Sequence, residues 1–321
     1  MIDWLNIHKV LVLQPENPDG DSVASALALE EILGDAGKEV IIYSYTHIPD
    51  YLRYIQGQDR ITNEFPNNFD LAIIVDTVSG SLLENTLKGT RLAAINGKPV
   101  LVLDCHPVED DLPLEHAEFF KGDGPVIATG ELVYQLATKE GWNINPMAAT
   151  HIVEATLADT LGMTTEAVES QTLRIVADML DKGAKMSDID TRRREIMQKS
   201  RELVTYKGIL LQRIEYLLNG KLALIQIPWE EIEKYSPHYN PSMLALEELR
   251  NTTGVEISVA LKIYPDGKIT GKIRGNKPIA SDLAAHFGGG GHAYAAGFKT
   301  TDWNVEDIKA EITKRANELI G

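Results

Sequence analysis

Apolar residues in the first 185 positions follow two alternating patterns. Short continuous apolar runs, typical of strands buried on both faces of a parallel sheet, lie near residues 9–14, 39–44, 70–75 and 99–103. Apolar residues at helical spacing follow near residues 22–37 and over residues 129–183. This alternation of strand and helix predicts an α/β domain built on a doubly wound parallel sheet.

The pattern changes after residue 186. The charged stretch from Ser187 to Leu218 has helical spacing and predicts a helical linker. From Gly220 the pattern is that of an α+β domain, with a strand predicted over Lys221–Ile227 and a hairpin around Pro265-Asp266-Gly267. The predicted organisation is therefore a first domain over 1–186, a linker over 187–219 and a smaller α+β domain over 220–321.

Aspartates recur where the predicted strands of the first domain end. Asp19 and Asp21 lie in the loop Asn17-Pro-Asp-Gly-Asp-Ser22, while Asp76 and Asp104 end the third and fourth strands. Asp159 follows an apolar helical stretch. Ligands of such sheets bind at the carboxyl ends of the strands, and clustered carboxylates are costly unless a cation neutralises them. Helix capping explains the first loop equally well when it is taken alone, but five acids at one edge predict a divalent metal centre.

Several motifs, in this order, resemble those of DHH-superfamily phosphoesterases. They are Asn17-Pro-Asp-Gly-Asp21, Asp76, Asp104-Cys105-His106, Ala158-Asp159-Thr160 and Gly288-Gly-Gly-Gly-His292-Ala-Tyr-Ala-Ala-Gly297. The last resembles the glycine-rich signature of the associated C-terminal domain. The resemblance extends from about residue 8 to about residue 300. It is closest to two-domain nano-RNases and 3′-phosphoadenosine phosphatases, and to the catalytic halves of cyclic-dinucleotide phosphodiesterases.

The resemblance implies roles for individual residues. Two manganese ions would be held between the domains by Asp19, Asp21, Asp76 and Asp159, with Asp76 bridging. His106 would contact the scissile phosphate, and we group Asp104 with it as a catalytic candidate. The terminal nucleotide would be held by Gly289, Gly290, Gly291, His292 and Arg274.

The chemistry of the glycine-rich segment agrees with that role. Four glycines permit positive φ and bring backbone N–H groups close to an anion, and Arg274 and His292 add donors. A flexible turn is the alternative when the four glycines are taken alone. The nearby Lys272 and Lys277 are interpreted as surface charges.

Two departures from the family pattern concern the metal site. Pro15 stands where the family has a histidine two residues before Asn17, and Cys105 replaces the first histidine of the triplet. The remaining carboxylates suit manganese, magnesium or calcium, whereas a Cys105 thiolate would favour zinc or iron. A buried Cys105 without a ligand role is the alternative. We expect weak metal binding, with one site empty or filled by magnesium, and we consider His47 and His151 as substitute ligands.

Composition narrows the classes of function. The 47 acidic and 31 basic residues give a net charge of −16, which opposes binding of long nucleic acid but permits a short oligonucleotide or nucleotide substrate. One cysteine excludes an intramolecular disulfide framework. The absence of a signal-peptide pattern and of long apolar runs predicts a cytoplasmic protein without a membrane partner. A homodimer is left open.

The sequence thus predicts a metal-dependent phosphoesterase that acts on short oligonucleotides, linear dinucleotides or 3′-phosphonucleosides. The alternative is a catalytically silent nucleotide-binding module of the same fold, which Pro15 and Cys105 favour and the retained aspartates oppose. A third class is an RNA-contacting accessory protein, which the negative charge disfavours. The linker sequence Thr191-Arg-Arg-Arg194 is interpreted as a solvated helix face, with a phosphate contact as its alternative.

Overall fold

The structure, a computed structural model, describes residues 2–106, 112–114 and 116–321. The chain divides into two compact units, 1–198 and 199–321. The division falls inside the stretch predicted as a linker.

A five-stranded, wholly parallel sheet forms the centre of the first unit. Its strands are β1 (Lys9–Leu13), β2 (Glu39–Tyr43), β3 (Leu71–Val75), β4 (Val100–Leu103) and β5 (Ala117–Phe120), in the order β2-β1-β3-β4-β5. All five residues of β3 are buried, as a parallel strand covered on both faces requires. The predicted α/β parallel sheet is confirmed. The sequence pattern missed β5, because this four-residue strand pairs only with β4 and half of its residues are exposed.

Six α-helices lie in the described part of this unit. They are α1 (Gly20–Asp35), α2 (Thr90–Asn96), α3 (Thr129–Glu140), α4 (Pro146–Asp159), α5 (Ser170–Asp181) and α6 (Met186–Ile196). The stretch 129–183, predicted as helical throughout, is three helices. Gly141 ends α3 in a left-handed conformation (φ 70°), and Asn145 with Pro146 at the first helical position begins α4.

The order in which strands are added to the sheet reverses between β1 and β3. The chain leaves β1 toward β2 on one side, and β3 then pairs with β1 on the other side. Such a switch point leaves a crevice at the carboxyl ends of the two strands. The loop containing Asp19 and Asp21, and Asp76 at the end of β3, therefore flank the place where this type of sheet binds ligands.

The second unit contains a mixed six-stranded sheet. Its strands are β6 (Glu215–Leu217), β7 (Leu222–Ile227), β8 (Ile257–Ile263), β9 (Ile269–Gly275), β10 (Gly290–His292) and β11 (Ala295–Thr300), in the order β10-β11-β9-β8-β7-β6. Its helices are α7 (Arg201–Gln212), α8 (Trp229–Tyr235), α9 (Pro241–Arg250), α10 (Ala280–His286) and α11 (Val305–Ile320). Apolar clusters on the two faces of the sheet form its core.

The α+β character of this unit and the β8–β9 hairpin are confirmed. One local prediction was wrong. The end of the predicted linker helix is strand β6, which turns into β7 through Leu218 and Asn219, both at positive φ. The glycine run is not wholly a loop, because Gly290 and Gly291 pair with Gly297 and Ala296 in β10 and β11.

Candidate active site

Asp21 is the most deeply buried acid at the switch point, with no solvent exposure. Its Oδ2 accepts a hydrogen bond of 2.6 Å from the backbone N–H of Thr129, and its Oδ1 accepts one of 3.1 Å from Gly130. Both donors belong to the first turn of α3, where unpaired N–H groups and the helix dipole favour an anion. The hydroxyl of Ser25 also donates to Oδ1. The carboxylate is therefore held in one orientation by two different helices.

Thr129 is a residue that sequence reasoning missed. Besides binding Asp21 through its N–H group, it donates its hydroxyl to Oδ1 of Asp76 at 3.2 Å. One residue thus orients two acids from different segments, Asp21 in the first turn of α1 and Asp76 directly after β3. A threonine–glycine pair opening a helix was the only signal in the sequence, and it does not say which carboxylate will lie there.

Asp76 has an unusual backbone conformation for a residue with a side chain. Its φ is 59°, in the left-handed region, and its backbone N–H donates to the carbonyl of Leu103 at 2.8 Å. Aspartate tolerates this region better than most residues, although at an energetic cost. Backbone strain of this kind persists where the surrounding structure requires it, often at functional sites.

Asp104 and His106 form a hydrogen-bonded pair. The Nδ1 atom of His106 lies 2.7 Å from Oδ1 of Asp104 and 3.7 Å from Oδ1 of Asp76. This hydrogen bond to Asp104, with the attraction of the neighbouring acids, raises the pKa of His106 to about 9. At neutral pH the ring is a cation that donates through Nδ1 to Asp104 and keeps Nε2 available as a second donor. More than half of the His106 side chain is exposed.

Two overlapping groups of side chains place their donor atoms within 4.8 Å of one another. The first group consists of Asp21, Asp76, Cys105 and Asp159, and the second of Asp76, Asp104, Cys105 and His106. Asp76 and Cys105 are therefore the candidate ligands common to both groups.

The electrostatics of the first group fit a divalent cation. Burial, followed by repulsion between neighbouring carboxylates, raises the pKa of Asp21 to about 8 and that of Asp159 to about 6. The same causes raise the pKa of Asp76 well above its usual value. The buried Oδ2 of Asp104 also has no hydrogen-bond partner in the part of the chain that the structure describes. These oxygen donors would hold a cation such as manganese or magnesium.

Cys105 is at the centre of this acidic environment. Burial and the surrounding carboxylates raise the pKa of its thiol, so it is neutral when no cation is bound. Coordination to a metal ion removes a thiol proton outright. Cys105 is thus a candidate ligand whose thiol would lose its proton on binding a cation.

Asp19 lies nearby but differs from the other predicted ligands. Among those ligands, all of which the structure describes, Asp19 belongs to neither donor group. Its carboxylate caps α1 by accepting from the N–H of Ser22 at 3.1 Å, and Ser22 Oγ accepts from the N–H of Asp19 in return. Its charge nevertheless raises the pKa of Asp76 and Asp159. Capping and a contribution to the site are therefore both present.

The substitute histidines do not join these groups. His151 is wholly buried, and its Nδ1 lies 2.8 Å from Oε2 of Glu154. His47 lines a separate cavity with Asp59 and Arg60. Pro15 is buried, and the adjacent Gln14 donates its side-chain amide to the carbonyl of Ser22.

In the second unit, Arg274 and Lys272 lie on one face of β9, and Lys262 is on the neighbouring strand β8. Burial lowers the pKa of all three cations, and repulsion adds to it, from Lys272 on Lys262, from Arg274 on Lys272 and from Arg250 on Arg274. Within the described residues, none of the three forms an ion pair with a carboxylate. Lys277 does, at 2.7 Å from Glu256. A row of unpaired cations in an acidic protein suits an anionic ligand.

The predicted glycines border this row. Gly289 leaves no room for a side chain, because a Cβ there would lie 2.2 Å from the carbonyl oxygen of Gly297. Gly290 and His292 are exposed, and Gly291 has a φ of 139°. Gly297 pairs with Lys272, and Ala295 pairs with Arg274. The glycine strand thus lies one strand away from the cations, in the same unit.

The fold and the acid cluster are those of an α/β phosphoesterase domain followed by a smaller domain that presents cations. The N-terminal domain of the DHH family matches residues 9–163, and the DHHA1 domain matches residues 234–321. The chain belongs to the DHH superfamily of phosphoesterases and is a hydrolase.

Relatives share the whole length of the chain at low identity. The bifunctional oligoribonuclease and PAP phosphatase NrnA of Bacillus subtilis is 22% identical over 311 residues, which cover 96% of this chain and 94% of that protein. The A-adding tRNA nucleotidyltransferase of Aquifex aeolicus is 26% identical over 307 residues, covering 94% of this chain but 34% of that protein.

An exopolyphosphatase-related protein from Bacteroides fragilis has a crystal structure similar to this one. Its TM-score is 0.79 at 21% identity, with 98% of this chain and 94% of that chain covered, which shows the shared fold. Within the described residues, no helix combines the length and the apolar character that a bilayer span requires.

Proposed function

We propose that this chain is a metal-dependent phosphoesterase that cleaves a small nucleotidic substrate. The substrate would be a short oligonucleotide, a linear dinucleotide or a 3′-phosphonucleoside. The observation that carries this proposal is the pair of overlapping donor groups that share Asp76, in which buried acids have strongly raised pKa values. The substrates named for the Bacillus subtilis relative, oligoribonucleotides and PAP, support the class of substrate.

The residues of the first unit would have different roles in catalysis. Asp21, Asp76, Asp159 and Cys105 would hold divalent cations, whose chemistry is to polarise phosphoryl oxygens and lower the pKa of a bound water. The His106 imidazolium would donate a hydrogen bond to a phosphoryl oxygen and stabilise the negative charge that develops there. Asp104 is a positioning residue in this scheme, because it holds the His106 ring through Nδ1.

The second unit has candidate groups of its own for binding a nucleotide. Arg274 offers a planar guanidinium for bidentate contact with phosphate, and Lys272 and Lys262 add charge beside it. We propose that Gly289, Gly290, Gly291 and His292 border the same ligand. The exposed backbone of Gly290 lets a ligand lie directly against the strand.

The test is an assay of chelator-treated protein with added manganese, magnesium or zinc. The substrates are a short RNA, the linear dinucleotide pApA and adenosine 3′,5′-bisphosphate. Turnover of at least one of them with manganese is expected, and Asp76→Asn should abolish it. Absence of turnover with every metal and substrate would refute the enzymatic proposal.

A catalytically silent nucleotide-binding module is the second candidate. Pro15 and Cys105 favour it, because both stand where the family has an imidazole. Calorimetry separates the two candidates: a silent module binds adenosine 3′,5′-bisphosphate without hydrolysing it. An enzyme would bind and hydrolyse it.

A further inference from the structure

A cavity of about 600 Å³ in the first unit opens beside the acid cluster. Its lining includes Asp19 and Asp159, Tyr51 and Tyr54, and Arg193 of α6 with Met197 directly after that helix. The volume lies within the range of roughly 300–1,000 Å³ that is usual for small-molecule sites. Among its lining residues, only Asp159 has a role in the chemistry proposed above.

Several large apolar or aromatic side chains are exposed in the lining of this cavity. Tyr51, Leu161, Met186 and Met197 are large apolar or aromatic side chains with 52%, 74%, 39% and 40% of their surface exposed, and all four line this one cavity. Exposed apolar groups gathered in one place mark a binding site. Tyrosine rings and methionine sulfurs suit the flat face of a nucleobase.

The three consecutive arginines of α6 have three different environments. Arg192 Nη2 lies 2.9 Å from Oε1 of the buried Glu154, and Arg194 Nε lies 2.8 Å from Oδ2 of Asp190. Arg193 lines the cavity, and in the described part of the chain its guanidinium has neither an ion pair nor a hydrogen bond. A free guanidinium beside an apolar cavity is available for bidentate binding of a phosphate.

We propose that this cavity binds the nucleoside attached to the scissile phosphate, and that Arg193 binds a second phosphate on that nucleoside. The proposal rests on the function proposed above. The scissile phosphate would lie at the acid cluster, the nucleobase against Tyr51 and Met197, and the second phosphate at Arg193. The substrate class is therefore a nucleoside that carries two phosphate groups, one scissile and one terminal.

The acids in the cavity lining determine which of the two phosphates lies at which place. Asp19 and Asp159 repel a phosphate unless cations neutralise them, whereas Arg193 attracts one without help. The phosphate next to the acids therefore needs a bound metal ion, whereas the phosphate at Arg193 does not. The Arg192–Glu154 ion pair holds α6 in place, so Arg193 is presented on a fixed helix.

The test compares two substrates that differ only in the second phosphate, pApA and ApA, in the metal-loaded full chain. Arg193→Gln should lower the ratio of kcat/KM for pApA to that for ApA about 10–100-fold, the equivalent of one charged hydrogen-bonded contact of roughly 1.5–3 kcal/mol. Arg194→Gln, the matched control, should leave the ratio as it is. An unchanged ratio in Arg193→Gln, or an equal loss on both substrates, would overturn the proposal.

The base-binding part has its own test. Tyr51→Ala should lower kcat/KM for pApA by about 5–100-fold, since base stacking on an aromatic side chain is worth roughly 1–3 kcal/mol. Tyr45→Ala is the control, because Tyr45 is similarly exposed (43%) but does not line the cavity. Equal effects of the two substitutions would contradict the base position.

Failure of the proposed function gives a different result from failure of this inference. If the wild type hydrolyses neither substrate, calorimetry with adenosine 3′,5′-bisphosphate and adenosine 3′-monophosphate replaces kinetics. Arg193→Gln should then lower the ratio of the two affinities by the same factor. An affinity ratio that does not change would refute the role of Arg193 independently of catalysis.

Discussion

Glu154 is a buried carboxylate that joins three segments of the first unit. Its Oε2 lies 2.8 Å from Nδ1 of His151 within α4, and its Oε1 lies 2.9 Å from Nη2 of Arg192 on α6. Arg192 also donates from Nε to the carbonyl of Tyr54 at 3.1 Å. This network joins α6 to the Tyr54 segment, and both contribute to the lining of the cavity. We predict that Glu154→Ala destabilises the unit by about 3 kcal/mol.

The magnitude follows from what the substitution leaves behind. Removing one partner of a buried ion pair costs about 3–5 kcal/mol, because the remaining charge is unpaired. The Arg192 side chain is 23% exposed, so water replaces part of the lost contact, and the lower end of that range applies. For a unit of this size, this corresponds to a fall in Tm of roughly 6–12 °C. Glu154→Gln retains an acceptor and should cost less than Glu154→Ala.

The assay must report on the first unit alone, because a chain of two units need not unfold in one transition. Trp4 and Trp142 pack edge to face in this unit, with ring centroids 4.7 Å apart, so their fluorescence reports its unfolding once Trp229 and Trp303 are replaced by phenylalanine.

Asp50→Ala is the control, since Asp50 is 83% exposed in its pair with Arg53 and should cost less than about 1 kcal/mol. A loss in Glu154→Ala as small as in the control would refute the reasoning. Retained Arg193-dependent substrate selectivity in Glu154→Ala would show that the network does not position α6.

Three further predictions concern other parts of the chain. Gly289→Ala should destabilise the second unit by about 1–3 kcal/mol through overpacking. Gly290→Ala should be tolerated, because a Cβ there meets nothing within 4 Å. Comparing the thermal unfolding of the two variants distinguishes these outcomes. Burial raises the pKa of Glu131 in the folded state above 4.5, so ionisation of this side chain lowers stability as the pH rises above 4.5. The stability advantage of Glu131→Gln in urea unfolding should therefore grow from pH 4 to pH 8. A difference independent of pH would contradict this prediction. Cys105→His combined with Pro15→His should strengthen manganese binding about 10–100-fold in calorimetry and raise activity, unless the unmodified protein already binds two manganese ions tightly.

The core of the first unit could be predicted from local sequence. The runs that became β1, β3 and β4 are continuously apolar because a parallel strand is covered on both faces, and that pattern is visible without any structure. Since the carboxyl ends of parallel strands share an edge, Asp21, Asp76 and Asp104 could be placed together from strand order alone. The β8–β9 hairpin was equally local, because Asp266-Gly267 defines its turn.

The details of the site depended on contacts between residues far apart in the chain. The N–H of Thr129 binds a carboxylate 108 positions earlier, and no local pattern records which acid will face that helix. Arg192, Arg193 and Arg194 are consecutive, yet they have different partners. Asp190 lies four residues before Arg194 on α6, so that ion pair is local, whereas Glu154 reaches Arg192 only after α4 and α6 have packed.

Residue types and periodicities thus determined the sheet, the helices and the acidic edge, because these depend on burial and hydrogen bonding within short segments. The separation of Asp19 from the two donor groups, the pairing of the glycine run as β10 and the cavity beside Asp159 were decided by tertiary structure. Each depends on which surfaces meet when segments distant in sequence pack together, and the free energy of such contacts belongs to the pair rather than to either segment.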